Sequence, residues 1–445
     1  MKSIIVLAIA ILTLGFSVAQ AQKPRPNILM ILVDDMGYGE LGVYGSKYCQ
    51  TPNLDALAKE GVRFNNFYAN STVCSPTRAA LMTGRYPDLV GVPGVIRGNK
   101  DNSWGYFSQK AVTLPQTLKM VGYQTAMVGK WHLGLEPENH PNRRGFTFFH
   151  GFLEDMMDDY YTHLREGKNW MRLNGQEVNP KGHATDIFSS WAIGYLNTQK
   201  KSTQPFFLYL AYNAPHFPVQ PPQEWLEKVK KRNPNLTEKR AKLTALIEHL
   251  DDSIGKVLAT LRQNGQADNT LIVFSSDNGG LLSDEADNGV WKGGKQMMYE
   301  GGIRVPTFAV WKNKIKPQAQ TNHQALTMDL PPTFCDVAGA TSPQNIDGSS
   351  LLPVLLGKTT PQNDKTKIWV RREGGPYGGQ EYHALRQGNW KILQNTPFEP
   401  FQLFDLSKDS LETTDVRKAN SAIFEDLQKK MRKHVQKAGA VPWQK

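Results

Sequence analysis

A cysteine followed closely by a proline and an arginine has the residue types and spacing of a reactive site. These residues are Cys74, Pro76 and Arg78, in the stretch Cys-Ser-Pro-Thr-Arg. Pro76 suits the first turn of a helix, the alanines and leucine after Arg78 continue it, and Gly84 can end it. Cys74 is therefore predicted at a helix N-terminus, where unpaired backbone N–H groups and the helix dipole favour an anion. Arg78, one turn further on, is expected to point back at the same anion.

Two pairs of oxygen-bearing side chains form a second candidate set. Asp34 and Asp35 directly follow one apolar run, and Asp277 and Asn278 follow another. In open α/β sheets, ligands bind outside the carboxyl ends of the strands, so these side chains are expected to meet there. An all-oxygen set with three carboxylates fits a hard divalent cation, and the absence of nearby Cys/His pairs disfavours zinc.

The elements that must position these residues alternate between strands and helices. Four apolar runs have strand length and end in polar residues: 26–33, 125–129, 206–211 and 271–274. Their continuous apolarity indicates strands buried on both faces of a parallel sheet. Helical patterns lie between them, at 53–61 and from about 237 to 263, so the fold class is predicted as α/β. Residues 136–182 lack this rhythm and are expected to form an excursion over the active-site face.

The ends of the chain differ in character from its middle. Lys2, the apolar run 4–16 and Ala19-Gln20-Ala21 predict a signal peptide over residues 1–21. The catalytic domain is then expected at 22–360 and a C-terminal subdomain at 361–445. That subdomain is predicted to hold three strands, at 367–373, 382–393 and 401–406, and a helix near 419–436.

After the predicted signal peptide, no stretch of the sequence approaches twenty apolar residues. The protein is therefore expected in the periplasm or outside the cell, without stable membrane insertion.

Bulk composition narrows the choice of partners. The 445 residues are 40% hydrophobic and 21% charged, as in an ordinary globular enzyme. The net charge of +11 favours anionic partners. No run of five Lys/Arg and no DNA-binding spacing occurs, which disfavours nucleic acid. A sulfated polymer is equally anionic, and a solvated basic surface without an anionic partner remains an equal alternative. If Cys74 is modified, one disulfide remains possible, between Cys49 and Cys335, and three cysteines in a chain of this size disfavour it.

The Cys74 pentapeptide, followed by the tetrapeptide Gly-Arg-Tyr-Pro at 84–87, resembles the signature of type I (formylglycine-dependent) sulfatases of the alkaline phosphatase superfamily. The resemblance covers essentially the whole mature chain and includes the stretches 301–306 and 385–391. It is closest to bacterial glycan sulfatases and N-acetylgalactosamine-6-sulfatase-like sequences. It implies a large, mostly parallel sheet flanked by helices, with a small C-terminal antiparallel sheet plus helix. It also implies that a formylglycine-generating maturation enzyme oxidises Cys74.

The same resemblance assigns roles within one pocket. One Ca²⁺ is expected on Asp34, Asp35, Asp277, Asn278 and the modified Cys74, and the catalytic residues are Cys74, Arg78, Lys130, His132, His216 and Lys295. The cations offset the repulsion between the ester oxygens and the attacking oxygen. A hydroxyl of the hydrated aldehyde, hydrogen-bonded to Asp277, attacks sulfur, and His216, helped by Lys295, protonates the leaving alcohol. His132 then deprotonates the second hydroxyl, and sulfate is expelled.

The predicted substrate is the O-sulfate group of a carbohydrate, in glycosaminoglycan or other sulfated glycan fragments. Aromatic and paired charged residues on loops suit sugar rings and acidic glycans. The substrate-binding candidates on such loops are Arg97, Asn99, Lys100, Trp104, Asp158, Tyr160, Arg372 and Tyr377.

Two other functions remain open at this point. A phosphodiesterase or phosphonate monoester hydrolase of the same superfamily would use a similar fold and cationic pocket. A single oxygen-ligand metal site, without the added histidines of a two-zinc centre, favours sulfate over phosphoryl substrates. The other alternative is a non-catalytic protein that binds sulfated glycans and whose Cys74 is never oxidised. The intact acid, base and metal positions disfavour it.

Overall fold

The structure is a computed structural model that describes residues 25–358, 365–373 and 380–444. The expected signal peptide lies outside the described residues. In the part of the chain that the structure describes, no helix has the length and apolarity needed to cross a membrane.

The described residues form eighteen strands and ten α-helices, joined by loops and short 3₁₀ turns. The strands are β1 (Asn27–Val33), β2 (Val62–Phe64), β3 (Phe67–Tyr68), β4 (Gln124–Lys130), β5 (Phe148–Phe152), β6 (Leu164–Arg165), β7 (Lys168–Asn169), β8 (Met171–Leu173), β9 (Gln176–Glu177), β10 (Phe206–Ala211), β11 (Thr270–Ser276), β12 (Thr307–Val310), β13 (Ala319–Thr321), β14 (Ala325–Leu326), β15 (Lys367–Arg372), β16 (Glu381–Gln387), β17 (Trp390–Gln394) and β18 (Gln402–Asp405). The helices are α1 (Pro52–Lys59), α2 (Cys74–Thr83), α3 (Leu114–Met120), α4 (Ala184–Gln199), α5 (Gln223–Arg232), α6 (Glu238–Gln263), α7 (Glu300–Ile303), α8 (Leu330–Ala338), α9 (Leu352–Leu355) and α10 (Ser421–Ala438).

The main sheet has ten strands in the order β13-β2-β12-β11-β1-β10-β4-β5-β8-β9. Its centre is parallel: β1 lies between β10 and β11, and β4 and β5 continue the parallel arrangement on the β10 side. β12, β8 and β9 pair antiparallel with their neighbours, so the sheet is mixed and mostly parallel. This confirms the predicted α/β fold.

Both faces of the sheet are covered by helices. Successive residues of β1 point to opposite sides, so Met30 lies in one apolar core and Ile31 in the other. Residues of α2, α3 and α8 pack in the first core, and residues of α1, α4 and α6 in the second. The uninterrupted apolar runs of the central strands follow from this two-sided burial.

The region 136–182 differs in part from the predicted excursion. It contributes β5, β8 and β9, which extend the edge of the main sheet. These strands have two to five residues, which is too short for a periodic signal in the sequence.

The C-terminal part forms an antiparallel sheet, β15-β16-β17-β18, with α10 packed against it. The predicted strand 382–393 is two strands, because Gly388 adopts a left-handed φ of +58° and closes a hairpin in which Gln387 pairs with Trp390. The domain boundary at 360/361 remains a prediction.

Candidate active site

The carboxyl ends of β1, β4, β10 and β11 lie side by side at one edge of the main sheet. Val33, the last residue of β1, pairs with Ser276, the last residue of β11. Asp34 and Asp277 therefore leave the sheet next to each other. The sheet topology thus brings together the polar residues that follow four separate strands.

Helix α2 starts at Cys74, as predicted, and directs its N-terminus at this edge. Val73 is extended, and Gly84 ends the helix with a left-handed φ of +67° and an N–H bond to the Ala80 carbonyl. All ten residues of the helix are buried. The Cys74 Sγ lies 4.0 Å from Asp35 Oδ1. Burial, and then the nearby charge of Asp34, raises the pKa of the Cys74 thiol, so this cysteine is not an activated thiolate.

Arg78 connects the helix to the ends of three strands. Its buried guanidinium donates to Asp277 Oδ2 through Nη2 and Nε, at 2.7 and 3.2 Å, and to the Lys130 carbonyl at 3.1 Å. It also lies 3.4 Å from Asp34 Oδ1. Lys130, fully buried at the end of β4, forms a short ion pair with the other Asp34 oxygen. Both cations are therefore held in fixed positions around the cluster.

Asp35 sits at the centre of the cluster. Its Oδ2 accepts from Lys295 Nζ at 2.6 Å, and its Oδ1 accepts from the Asn278 amide at 2.7 Å. Its backbone N–H donates to Asp277 Oδ1 at 3.1 Å. One ligand atom from each of Asp34, Asp35, Cys74 and His216 lies within 4.8 Å of the others.

The donor set fits a hard divalent cation. Within the described residues, Asp34 Oδ1 and Asn278 Oδ1 are buried acceptors without a hydrogen-bond donor. Burial raises the pKa of Asp277 to about 8, with the neighbouring Asp34 charge adding to it. A bound cation would satisfy the free acceptors and offset the crowding of three carboxylates.

The two candidate histidines present different nitrogens to the site. His132 Nε2 lies 2.9 Å from the Ile96 carbonyl, so this nitrogen carries the proton, and within the described residues Nδ1 has no partner. Burial and then Lys130 lower the pKa of His132, which keeps it neutral and able to accept a proton. His216 Nδ1 faces the Phe217 carbonyl at 2.6 Å, and its Nε2 faces Asp35 at 3.6 Å.

The candidate substrate residues occupy different positions around two cavities. A cavity of about 220 Å³ lies above Cys74, His132, His216 and Lys295. A cleft of about 830 Å³ lies beside it and is lined by Asn99 and Lys100, among others, while Arg97 lines both spaces. Three of the seven predicted substrate residues that the structure describes therefore border these cavities.

Four other described candidates are absent from the linings of the two cavities. Trp104 stacks on Trp443, and Asp158 accepts from Arg165 at 2.9 Å. Arg372 pairs with Glu381 and lies over the Trp443 ring. Tyr160 is fully buried, and its hydroxyl lies within 3.0 Å of the Asn213 and His216 carbonyls, so it supports the loop that carries His216. Tyr377 lies outside the described residues.

Sequence reasoning missed several residues of the smaller cavity. Asp155 and Arg165 form a two-bond ion pair at its rim, at 2.7 and 3.2 Å. Glu373 is fully buried and accepts from Arg97 at 3.2 Å. Asp155 and Arg165 belong to the irregular 136–182 region, so no motif or periodicity marks them. Glu373 lies in the charged stretch 371–377 that also contains the predicted candidates Arg372 and Tyr377.

Fold and site together define a hydrolase of anionic esters with an alkaline phosphatase-like fold: a mixed sheet whose carboxyl edge holds three carboxylates, buried cations and a helix N-terminus. Comparison with known families agrees. The family model described as Sulfatase matches residues 26–340, and a model for the C-terminal part of N-sulphoglucosamine sulphohydrolase matches residues 290–440. The chain belongs to the sulfatase family and is a sulfuric ester hydrolase.

Individual relatives support this assignment. The chain is 35% identical over 369 residues to N-acetylgalactosamine-6-sulfatase of Canis lupus familiaris, which covers 77% of this chain and 68% of the relative. It is 28% identical over 473 residues to a sulfatase of Formosa agariphila, covering 89% and 85% of the two chains. The crystal structure of Ps i-CgsB in complex with k-i-k-neocarrahexaose superposes with a TM-score of 0.85 at 34% identity, covering 93% of each chain.

Proposed function

We propose that this protein hydrolyses O-sulfate esters of carbohydrates, in glycosaminoglycan or other sulfated glycan fragments, with formylglycine at position 74 and one Ca²⁺. The observation that carries the proposal is the position of Cys74. It begins a fully buried helix, next to Asp35 and within a ring of buried cations. One relative is named an N-acetylgalactosamine-6-sulfatase, and a separate structural neighbour was crystallised with a neocarrahexaose. Both support a glycan substrate.

The metal and the modified residue would each supply one element of the chemistry. Asp34, Asp35, Asp277 and Asn278 would hold Ca²⁺, which would add positive charge beside the sulfate oxygens and the nucleophile. Formylglycine would supply a hydrated aldehyde, whose two hydroxyls provide one oxygen for attack on sulfur and a second for release of sulfate.

The chain's own side chains position the ester and move the protons. Arg78 and Lys130, fixed by their carboxylates, place positive charge on the sulfate side of the pocket. His216 lines the cavity beside Lys295. Its Nδ1 proton is donated to the Phe217 carbonyl, so His216 is proposed to protonate the leaving alcohol oxygen from its doubly protonated form, with the second proton on Nε2 and Asp35 beside it. His132 Nδ1, with its free lone pair, is proposed to accept the proton that accompanies sulfate release.

The experiment is sulfate release from a panel of 2-, 3-, 4- and 6-O-sulfated mono- and oligosaccharides. The protein is co-expressed with a formylglycine-generating enzyme, peptide mass reports residue 74, and Cys74→Ala is the control. We expect release from one sulfated position, lost in the control. Turnover of phosphodiesters or phosphonates by the matured protein, without sulfate release, would overturn the proposal.

We also propose that residues 1–21 are a cleaved signal peptide and that the mature protein is periplasmic or extracellular. A mature chain beginning near Gln22, detected by intact mass after expression in a secreting host, tests this. An uncleaved N-terminus in an exported preparation would contradict it.

A further inference from the structure

The cavity over Cys74 is too small for more than part of a glycan. Its volume is about 220 Å³, below the roughly 300–1,000 Å³ typical of small-molecule sites. A cleft of about 830 Å³ adjoins it. Arg97 and Arg165 line both spaces, so the two cavities are neighbours on either side of these arginines.

The junction between the two cavities is a rigid set of paired charges. Arg165 holds Asp155 through two hydrogen bonds, Arg97 lies 3.9 Å from the same carboxylate, and Arg97 donates to Glu373 at 3.2 Å. Because these charges compensate one another, the junction offers fixed donors and acceptors rather than a strong net charge. Such a surface suits the hydroxyl groups of a sugar ring.

The cleft beyond the junction has aromatic walls. Trp170 and Trp443 line it, and both are partly exposed. Trp443 comes from the segment after α10, which returns to the main unit and stacks its indole on Trp104, with ring centroids 5.4 Å apart and an angle of 24°. Arg372 lies 5.7 Å from the same ring centroid. Trp104 covers part of the indole and holds it in place, and the partly exposed remainder lines the cleft as an apolar surface of the kind that contacts sugar rings.

We propose that the cleft binds the sugar residues that flank the sulfated one, with Trp443 as a specificity-determining residue, so that the substrate is an oligosaccharide. The inference rests on the proposed glycan sulfatase function and assigns the cleft to that substrate. Three features carry it: the position of the cleft next to the Cys74 cavity, with Arg97 and Arg165 in both linings, the compensated charges at the junction, and the indole of Trp443 packed on Trp104.

The test compares two substrates with the same sulfated ring, a monosaccharide and an oligosaccharide, in the wild type and Trp443→Ala. We expect the wild type to have the higher kcat/KM on the oligosaccharide. The ratio of the two kcat/KM values should fall about tenfold in Trp443→Ala, mainly through KM, as expected for loss of one aromatic contact. Trp390→Ala, which removes an indole from a separate surface cavity beside α10, is the matched control and should keep the wild-type ratio.

A binding measurement separates this inference from the proposed function. Cys74→Ala and the double variant Cys74→Ala/Trp443→Ala are titrated calorimetrically with the same oligosaccharide. Weaker binding by the double variant supports the cleft assignment even if the matured wild type releases no sulfate, an outcome that would overturn only the catalytic proposal. Equal binding by both variants, or an unchanged kcat/KM ratio, overturns the cleft assignment. Thermal melting, with Trp443→Phe as a second variant, identifies any loss of folding.

Discussion

Cys74 is a poor nucleophile in its own environment, which agrees with its proposed oxidation. The thiol is buried and its pKa is raised, so little thiolate forms near neutral pH. The surrounding groups are instead arranged to receive a charged ester. Arg78 shows how: its planar fork binds one Asp277 oxygen and the Lys130 carbonyl at the same time.

Replacing Arg78 by lysine should separate charge from geometry. Arg78→Lys retains the positive charge but loses the fork, so Asp277 is left with fewer donors in a buried site. We expect a fall in kcat of at least about 100-fold and a loss of about 3 kcal/mol in the free energy of unfolding. Steady-state kinetics and urea unfolding measure the two effects.

Arg85→Lys is the matched control for this change. Arg85 follows the same helix, is partly exposed and contacts Asp347 at 3.5 Å. It should stay within about 1 kcal/mol of the wild type. An Arg78→Lys enzyme with normal kcat would show that the fork is not required.

His183 makes stability depend on pH. It caps α4 by accepting from Thr185 N–H through Nδ1, and it lies beside Asp186 and 4.8 Å from the His249 ring. Burial, and then His249, lowers the pKa of His183 to about 4. Between pH 6.5 and 4 the unfolded chain binds a proton here that the folded chain does not, so the contribution of this residue to stability falls as pH falls.

His183→Asn should remove that dependence, because asparagine keeps a capping acceptor but does not titrate. Relative to the variant, the wild type should lose about 2 kcal/mol on going from pH 7.5 to pH 5. Chemical denaturation of both proteins at several pH values measures this difference. Parallel stability curves would contradict the assignment.

The central elements of the fold were predictable because their signals are local. The runs that form β1, β4, β10 and β11 are apolar throughout, and Pro76 and Gly84 mark the start and end of α2. Features that depend on contacts between residues far apart in the sequence were not predictable. The edge strands of 136–182, the hairpin at Gly388 and the packing of Trp443 on Trp104 are set by tertiary contacts that leave no periodic trace in the sequence.

The candidate site divides in the same way. The residues at motif positions, such as Asp35 and Lys295, lie together as the resemblance implied. Asp155 and Arg165, which line the smaller cavity, lie in a region without a recognisable pattern. Tyr160 was marked by residue type alone, and the structure places it beneath the His216 loop.

Strand β4 depends on a glycine just before Lys130, the lysine proposed to be catalytic. Gly129 has a φ of +105°, and a Cβ at this position would lie 1.9 Å from the Ala211 carbonyl oxygen of β10. Gly129→Ala should therefore lower the free energy of unfolding by about 3–5 kcal/mol, through strain and collision together. It should also reduce activity, because Lys130 follows directly.

Gly122→Ala separates the two causes. Gly122 also has a positive φ, +87°, but a Cβ there meets no atom within 4 Å. This variant should lose only about 1 kcal/mol, the penalty for a left-handed alanine. Equal losses for Gly122→Ala and Gly129→Ala in thermal or urea unfolding would rule out the collision as the cause.

On the scale of the whole molecule, a buried ionic network joins the main unit to the C-terminal sheet. Lys391 of β17 lies 3.0 Å from Glu300 of α7 and 2.7 Å from Glu412, and all three side chains are buried. Burial alone would raise the pKa of Glu300, but Lys391, Arg304 and Arg386 outweigh it and lower the pKa to about 2. The network therefore requires both parts of the chain.

Lys391→Met should leave two buried carboxylates without their shared cation. We expect a loss of about 3–5 kcal/mol, with both parts unfolding in one transition, measured by urea denaturation. Lys408→Met, at an exposed lysine, should change stability by less than about 0.5 kcal/mol. A small effect of Lys391→Met would show that the interface does not depend on this network.

The proposed Ca²⁺ should stabilise the whole fold, since it would bind the native carboxylate cluster and not the unfolded chain. At 100 times its dissociation constant, a single ion adds about 2.7 kcal/mol. Thermal unfolding of Cys74→Ala with added Ca²⁺ and with chelator measures the shift without reference to activity. Asn278→Ala should reduce it, and an identical Tm in both buffers would contradict the metal assignment.

The complete burial of α2 also bears on whether the proposed oxidation of Cys74 comes before or after folding. Cys74 is 3% exposed, and every other residue of its helix is buried too. A second enzyme can take this peptide into its own active site only while the helix is unformed. We therefore expect the proposed oxidation to precede folding, and a preparation that folds with its cysteine intact to resist maturation until it is unfolded again.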